Sequence, residues 1–215
     1  MPPQLQTVSE RKAARDLKRG IDAIAAMDGN VAEWLKHIGY PKPRARPLGF
    51  VGFARAIVAQ QVSVAAANGI WKKLEAGLGE VAPERVLEAP DESLRGMGLS
   101  RQKALYFRGL AEAVVSGSLN FDELHAAEDE AAIATITRLK GLGRWSAEIY
   151  LLFALRRPDV WPGNDLALQE AMRILKGLRK RPDEKRLRKL GEPWRPHRSA
   201  GAVFLWHVYH HAKGG

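Results

Sequence analysis

A chain of 215 residues without cysteine can form neither disulfides nor thiolate-bound metal or iron–sulfur centres, and at this length it buries roughly 70% of its unfolded surface, so it needs no staple. Its 34 Lys and Arg against 24 Asp and Glu leave a formal charge of +10, which favours polyanionic partners, nucleic acid first. With no apolar run of about 18 residues and no leader with a basic start and apolar middle, a soluble cytoplasmic protein with no membrane partner is expected.

Ser9 before Glu10-Arg11-Lys12-Ala13-Ala14 predicts an N-cap for a first helix over about 10–27, closed by Gly29. Asn30 with Glu33 has the form of a capping box and predicts a short second helix ending at Gly39. Tyr40 to Gly49 carries three prolines and three basic residues and reads as a stiff exposed connector. From Phe50 to Leu78 the apolar residues Phe53, Ile57, Val58, Val62, Val64, Ile70, Trp71 and Leu74 recur at helical spacing, which predicts one buried helix or two abutting ones. Gln60-Gln61-Val62-Ser63 interrupts them. Two unpartnered amides are costly to bury, so this cluster belongs at a surface or a site; an ordinary inter-helix turn with Ser63 as N-cap is the plainer alternative.

Short helices are predicted over about 83–89 and 91–95, then a longer one over about 101–115 with Leu105, Phe107, Leu110 and Val114 on one side. Asn120 to Ala126 and Asp129 to Arg138 supply two more. The densest chemistry runs from Leu139 to Leu168. In Leu139-Lys140-Gly141-Leu142-Gly143-Arg144-Trp145-Ser146-Ala147, two glycines flank one apolar residue, so the turn can take φ > 0 and let another backbone come close. Ala147 to Leu155 has helical spacing, and the N–H groups at its start would present the positive end of a helix dipole to a phosphate. The chain breaks at Arg157-Pro158 and Pro162-Gly163 and restarts a helix at Asp165, which presents one carboxylate. Further helices are predicted over about 165–177, 183–190 and 198–212.

No stretch alternates with period two for long enough to make a strand, so the fold class is all-α, a compact orthogonal assembly of many short helices. His207 and His211 stand four apart on the last helix, with His210 between. No third ligand accompanies them, and histidines near a helix C-terminus suit its dipole, so no metal is expected there.

The run Gly141-Leu142-Gly143-Arg144-Trp145-Ser146-Ala147, with Asp165 in Pro162-Gly163-Asn164-Asp165-Leu166 twenty residues after Trp145, resembles the helix-hairpin-helix and Gly/Pro-Asp signature of DNA glycosylases. The nearest branch is the 3-methyladenine DNA glycosylase II type. Arg55-Ala56-Ile57-Val58-Ala59-Gln60-Gln61-Val62-Ser63-Val64-Ala65 resembles that family's helix and wedge loop. Lys103-Ala104 matches the next element, and Trp194-Arg195-Pro196-His197-Arg198-Ser199 resembles the start of the last helix. Larger members carry an extra N-terminal β-containing domain for which this chain is too short, so the resemblance implies a two-subdomain helical core with DNA and base in the cleft between subdomains.

What the resemblance implies is a monofunctional enzyme that flips an alkylated purine of the 3-methyladenine or 7-methylguanine type out of duplex DNA and hydrolyses its N-glycosidic bond. Asp165 would stabilise the oxocarbenium-like sugar, as carboxylates do in glycoside hydrolysis. Trp145, Trp206 and Tyr150 would line the base pocket. Tyr150 lies one place after the family's aromatic position, here Ile149, and Trp206 is explained equally well as core. Trp145 also stands where bifunctional members carry a Schiff-base lysine. Gln60, Gln61 and Ser63 of the wedge loop, with Gly141, Gly143, Arg144 and Ser146 of the hairpin, would contact DNA. No cofactor is required, although the main-chain carbonyls of Thr137, Leu139 and Leu142 would hold a sodium or potassium ion. The expected partner is double-stranded DNA with alkylated bases, met as a monomer. Two rivals remain: a non-catalytic DNA-binding module that keeps the hairpin, and an all-α interaction scaffold that leaves Asp165 and Trp145 as coincidence.

Overall fold

Helix boundaries fall where polar caps interrupt the apolar periodicity. The computed structural model describes residues 3–214, with side chains from residue 11, and no strand forms among them. In chain order the helices are α1 (Pro3–Met27), α2 (Gly29–Ile38), α3 (Gly49–Ala59), α4 (Val64–Leu78), α5 (Pro83–Glu88), α6 (Asp91–Gly96), α7 (Arg101–Val115), α8 (Phe121–Ala126), α9 (Asp129–Thr137), α10 (Arg144–Phe153), α11 (Leu166–Leu175), α12 (Glu184–Gly191) and α13 (Arg198–Ala212), with a 3₁₀ turn at Glu192–Trp194. Two units form: Met1–Ala45 with Arg156–Gly215, and Arg46–Leu155. No helix among the described residues is long and apolar enough to cross a membrane.

The first unit packs α11 and α1 on α13, with Ile21, Ile24, Leu168, Met172, Phe204 and Leu205 all but fully buried. Burial of each such side chain contributes about 1.5–3 kcal/mol. Asp28 ties the unit together. It accepts the Asn30 N–H as N-cap of α2, takes Lys176 Nζ at 2.6 Å from the C-terminal end of α11, and takes the Trp194 indole N–H at 2.9 Å. Burial by itself would raise the Asp28 carboxyl, yet the Lys176 and Trp194 hydrogen bonds, the Lys176 charge and the Asn30 N–H together hold it below the usual carboxylate range.

The second unit packs α3 and α5 against α7, and α9 against α10. Phe53, Ile57, Phe107, Leu110, Ile136 and Leu151 fill its core. The stretch from Phe50 to Leu78 resolves into two helices, α3 and α4, because Ser63 caps the second through the Ala66 N–H at 3.2 Å.

Several local expectations are corrected. Helix α1 runs through Ser9 to Pro3, a residue whose missing N–H and fixed φ suit a first turn. Gly29 opens α2 instead of closing α1, and the cap is Asp28, not Asn30: Asp28 is the residue with extended backbone at that end, and its carboxylate accepts the Asn30 N–H while Asn30 lies inside the helix. Leu105 is 53% exposed, since the buried stripe of α7 runs through Ala104, Phe107, Leu110 and Ala111. Val62 and Val64 are exposed as well, on either side of the Ser63 cap. α10 begins three residues before Ala147.

Candidate functional site

The hairpin between α9 and α10 is a tight turn whose Leu142 N–H bonds the Leu139 carbonyl at 3.1 Å. Gly141 sits at φ +88°, and a Cβ there would come within 2.3 Å of the Tyr106 ring, so conformation and space both require glycine. Its carbonyl accepts Gln60 Nε2 at 2.6 Å, which fastens the end of α3 to the hairpin. Gly143 differs: its φ of −88° suits any residue, and nothing lies within 4 Å of where its Cβ would be. No contact within the fold asks for glycine at 143. Gly143 is also the N-cap of α10 and offers no side-chain acceptor, whereas α2, α4, α7, α8, α11 and α12 are each capped by a side chain. The first turn of α10, Arg144 to Ser146, thus presents N–H groups and the positive dipole end beside open space, which is the chemistry of an anion site. Ser146 is half-buried in that turn and Trp145 is 40% exposed.

The Arg144 side chain is engaged within its own unit. Its guanidinium donates to both Glu130 carboxylate oxygens at 2.6 and 3.0 Å, and its Nε donates to Glu148 Oε1 at 3.0 Å. The Glu130 bonds, despite the opposing effect of burial, and the two carboxylate charges raise its already high pKa. Two acids more than balance one cation, so Arg144 braces α10 against α9 and adds little attraction for phosphate.

In the loop after α3, Gln61 is exposed at φ +55°, a left-handed conformation uncommon for a residue with a Cβ. Gln60 faces the hairpin and Ser63 caps α4, so of the three predicted loop residues Gln61 is the one whose side chain has no such internal role. Lys103 donates to the Val58 carbonyl at 2.7 Å, at the C-terminal end of α3, and burial lowers its pKa. Gln60, Lys103 and Tyr106 therefore hold the hairpin and the loop as one framework. In the sequence Lys103 stands out only as a motif match and Tyr106 not at all, because contacts between distant elements leave no local pattern.

Tyr150 is engaged in the same way. It is 4% exposed, stacks on Phe53 at 4.0 Å between ring centroids, accepts the Gly49 N–H at 2.8 Å and shares a 2.9 Å hydrogen bond with His125. Burial raises its pKa against the lowering effect of the Gly49 bond. It packs the core of its own unit.

Asp165 is the N-cap of α11, accepting the Leu168 N–H at Oδ1 from 2.9 Å. The preceding loop is held from behind. Buried Gln169 donates to the Gly163 carbonyl at 3.0 Å, Arg188 Nη1 donates to the Trp161 carbonyl at 3.0 Å, and the Trp161 indole N–H donates to the Leu187 carbonyl at 3.3 Å. A carboxylate is thus presented in one orientation, half-buried, by a braced loop. Trp206 is half-buried on α13. Among its neighbours, His207 bonds the Ile38 carbonyl at 3.1 Å and the His211 ring meets Trp34 edge-on. For a monovalent cation, Thr137 and the turn residues Leu139 and Leu142 offer neutral carbonyl oxygens at the negative end of the α9 dipole, a donor set compatible with sodium or potassium.

Residues 54–196 match the HhH-GPD superfamily of base excision DNA repair proteins. The chain is 30% identical over 190 residues to DNA-3-methyladenine glycosylase 1 of Schizosaccharomyces pombe, covering 85% of this chain and 83% of that protein. It is similar to the crystal structure of a DNA-3-methyladenine glycosidase from Bacillus halodurans, with a TM-score of 0.82, 32% identity and 91% of both chains covered. It is also similar to the Schizosaccharomyces pombe 3-methyladenine DNA glycosylase in complex with abasic DNA, with a TM-score of 0.78, 29% identity, and 91% of this chain and 97% of that one covered. The hairpin, the loop after α3 and the carboxylate that caps α11 all fall inside the matched span, and this chain belongs to the HhH-GPD superfamily of base excision DNA repair proteins.

Proposed function

We propose that the protein is a monofunctional DNA glycosylase that hydrolyses the N-glycosidic bond of alkylated purines, of the 3-methyladenine and 7-methylguanine type, in duplex DNA and leaves an abasic site. The observation that carries this reading is Asp165, a carboxylate fixed by its capping bond and by the loop that Gln169 and Arg188 brace, in a chain similar along most of its length to enzymes named for 3-methyladenine. As the bond to the base lengthens, positive charge grows on the sugar, and a fixed carboxylate stabilises it without reorganising. An alkylated purine already carries positive charge and leaves as a neutral base, so no second carboxylate acid is needed. Water completes the hydrolysis.

The open, uncapped start of α10 beside Gly143 grips a DNA phosphate through backbone N–H groups. Gln61, exposed in its left-handed conformation, is the residue that fills the gap left by the flipped nucleotide. Stacking of a cationic base on Trp145 or Trp206 contributes about 1–2 kcal/mol through cation–π attraction. The carbonyls of Thr137, Leu139 and Leu142 would hold a sodium or potassium ion that stiffens the hairpin. Action as a cytoplasmic, DNA-associated monomer is part of the same proposal.

Because Trp145 stands where a lysine nucleophile would be needed, the product test is direct. A duplex with a single 7-methylguanine, incubated with the protein, is expected to acquire an abasic site and to stay unbroken until alkali is added. Borohydride trapping of a covalent protein–DNA adduct during turnover would contradict the hydrolytic mechanism.

A further inference from the structure

The positive charge of this protein is not evenly spread. Between Arg179 and Lys189, seven Lys and Arg stand against two acids, so eleven residues supply five of the ten surplus charges of the whole chain. The two acids are already engaged. Asp183 caps α12 by accepting the Arg186 N–H at 2.8 Å, and Glu184 pairs with Arg188 at 2.8 Å. Arg179, Lys180, Arg181, Lys185, Arg186 and Lys189 are all exposed, and no ion pair among the described residues takes any of them. Arg181 feels Glu170 from a distance, although Glu170 is already hydrogen-bonded to Arg173.

The face behind this ridge is anchored. Leu187 is fully buried and Gly191 packs against the Trp161 ring. Arg188 and Leu187 bond Trp161 in the loop that presents Asp165. Solubility alone does not account for the pattern, because it is served by dispersed charge, while like charges four apart on a helix, as at Lys185 and Lys189, repel. A row of exposed cations without carboxylate partners suits a row of phosphates.

We infer that the exposed face of Arg179–Lys189 is a second contact for the phosphate backbone of duplex DNA, separate from the hairpin and seated on the framework that carries Asp165. This rests on the reading of the protein as an enzyme of duplex DNA. Contacts to phosphate carry no sequence information, so the contribution of the ridge is independent of sequence and of damage.

Equilibrium binding to an undamaged 30-base-pair duplex at several salt concentrations tests it. One variant replaces Arg179, Lys180 and Arg181 by Gln, a second replaces Lys185, Arg186 and Lys189 by Gln, and a charge-matched control replaces the exposed Arg11, Lys12 and Arg15 of α1 by Gln. Each cation removed from a phosphate makes the slope of log K against log salt less steep by about 0.9, so each ridge variant, with three cations removed, should show a slope less steep by about 2.7 and bind roughly tenfold or more weakly near 0.1 M salt. The control should keep the slope of the native protein. Unchanged slopes in both folded ridge variants, or an equal fall in the control, would overturn the ridge. If the native protein itself bound duplex without salt dependence, the failure would lie in the reading of the protein as a DNA enzyme.

Discussion

Asp28 and Gln60 show how single side chains do work that sequence spacing does not reveal. The Asp28 carboxyl is held below its usual range in the folded protein, so its contribution to stability is fully present above the unfolded value of about 3.9 and is lost as pH falls through the folded one. Asp28→Asn leaves Lys176 without its counter-charge in a site where the two side chains are 10% and 21% exposed. Urea unfolding at pH 7 should show a loss of about 3 kcal/mol, shrinking as the pH is taken below about 4 where the native carboxylate also protonates. A difference that persisted undiminished in acid would mean that charge is not what Asp28 contributes. At Gln60 the amide N–H meets the Gly141 carbonyl, and Gln60→Glu puts an acceptor against an acceptor. It should cost about 1–3 kcal/mol, readable in the same unfolding assay, whereas Gln61→Glu at the exposed neighbouring position should cost less than about 0.5 kcal/mol.

At the scale of the element, the hairpin separates two glycines with different duties. Gly141→Ala forces a Cβ into the Tyr106 ring at a positive φ and should destabilise the protein measurably. At Gly143 a Cβ would meet nothing within 4 Å, so Gly143→Val should keep its melting temperature within a few degrees of native while its duplex affinity falls, if the hairpin receives a phosphate as proposed. A Gly143→Val protein with native affinity would remove the hairpin from the DNA-binding surface. The elements themselves were largely legible in the sequence. The predicted limits of about 101–115 and 198–212 agree with α7 and α13, and Ser63 and Asp165 cap helices where local chemistry put them. What local pattern could not show were bonds that join separate elements: Lys176 to Asp28 across 148 residues, Gln60 to Gly141 across 81, and Arg144 to Glu130 across 14. The burial of Tyr150 escapes local pattern for the same reason, since it is decided by Phe53 and Gly49, about a hundred residues earlier.

For the whole molecule, the +10 charge, the ridge at Arg179–Lys189 and the open start of α10 all favour the phosphate backbone, and none of them would distinguish an enzyme from a protein that only binds DNA. Asp165 makes that distinction. Its capping bond to Leu168 is a structural duty that asparagine can also perform, so Asp165→Asn keeps the cap while removing the charge that would stabilise the sugar cation. Asn164→Ala, at the exposed neighbour, serves as the control that removes a polar group and no charge. The most direct measurement is single-turnover release of 3-methyladenine or 7-methylguanine from duplex DNA by the native protein and both variants, with melting temperature and duplex affinity recorded for each. Release by Asp165→Asn should fall by about two orders of magnitude or more at near-native stability and affinity, with Asn164→Ala close to native; an Asp165→Asn protein that released the base at the native rate would contradict the mechanism.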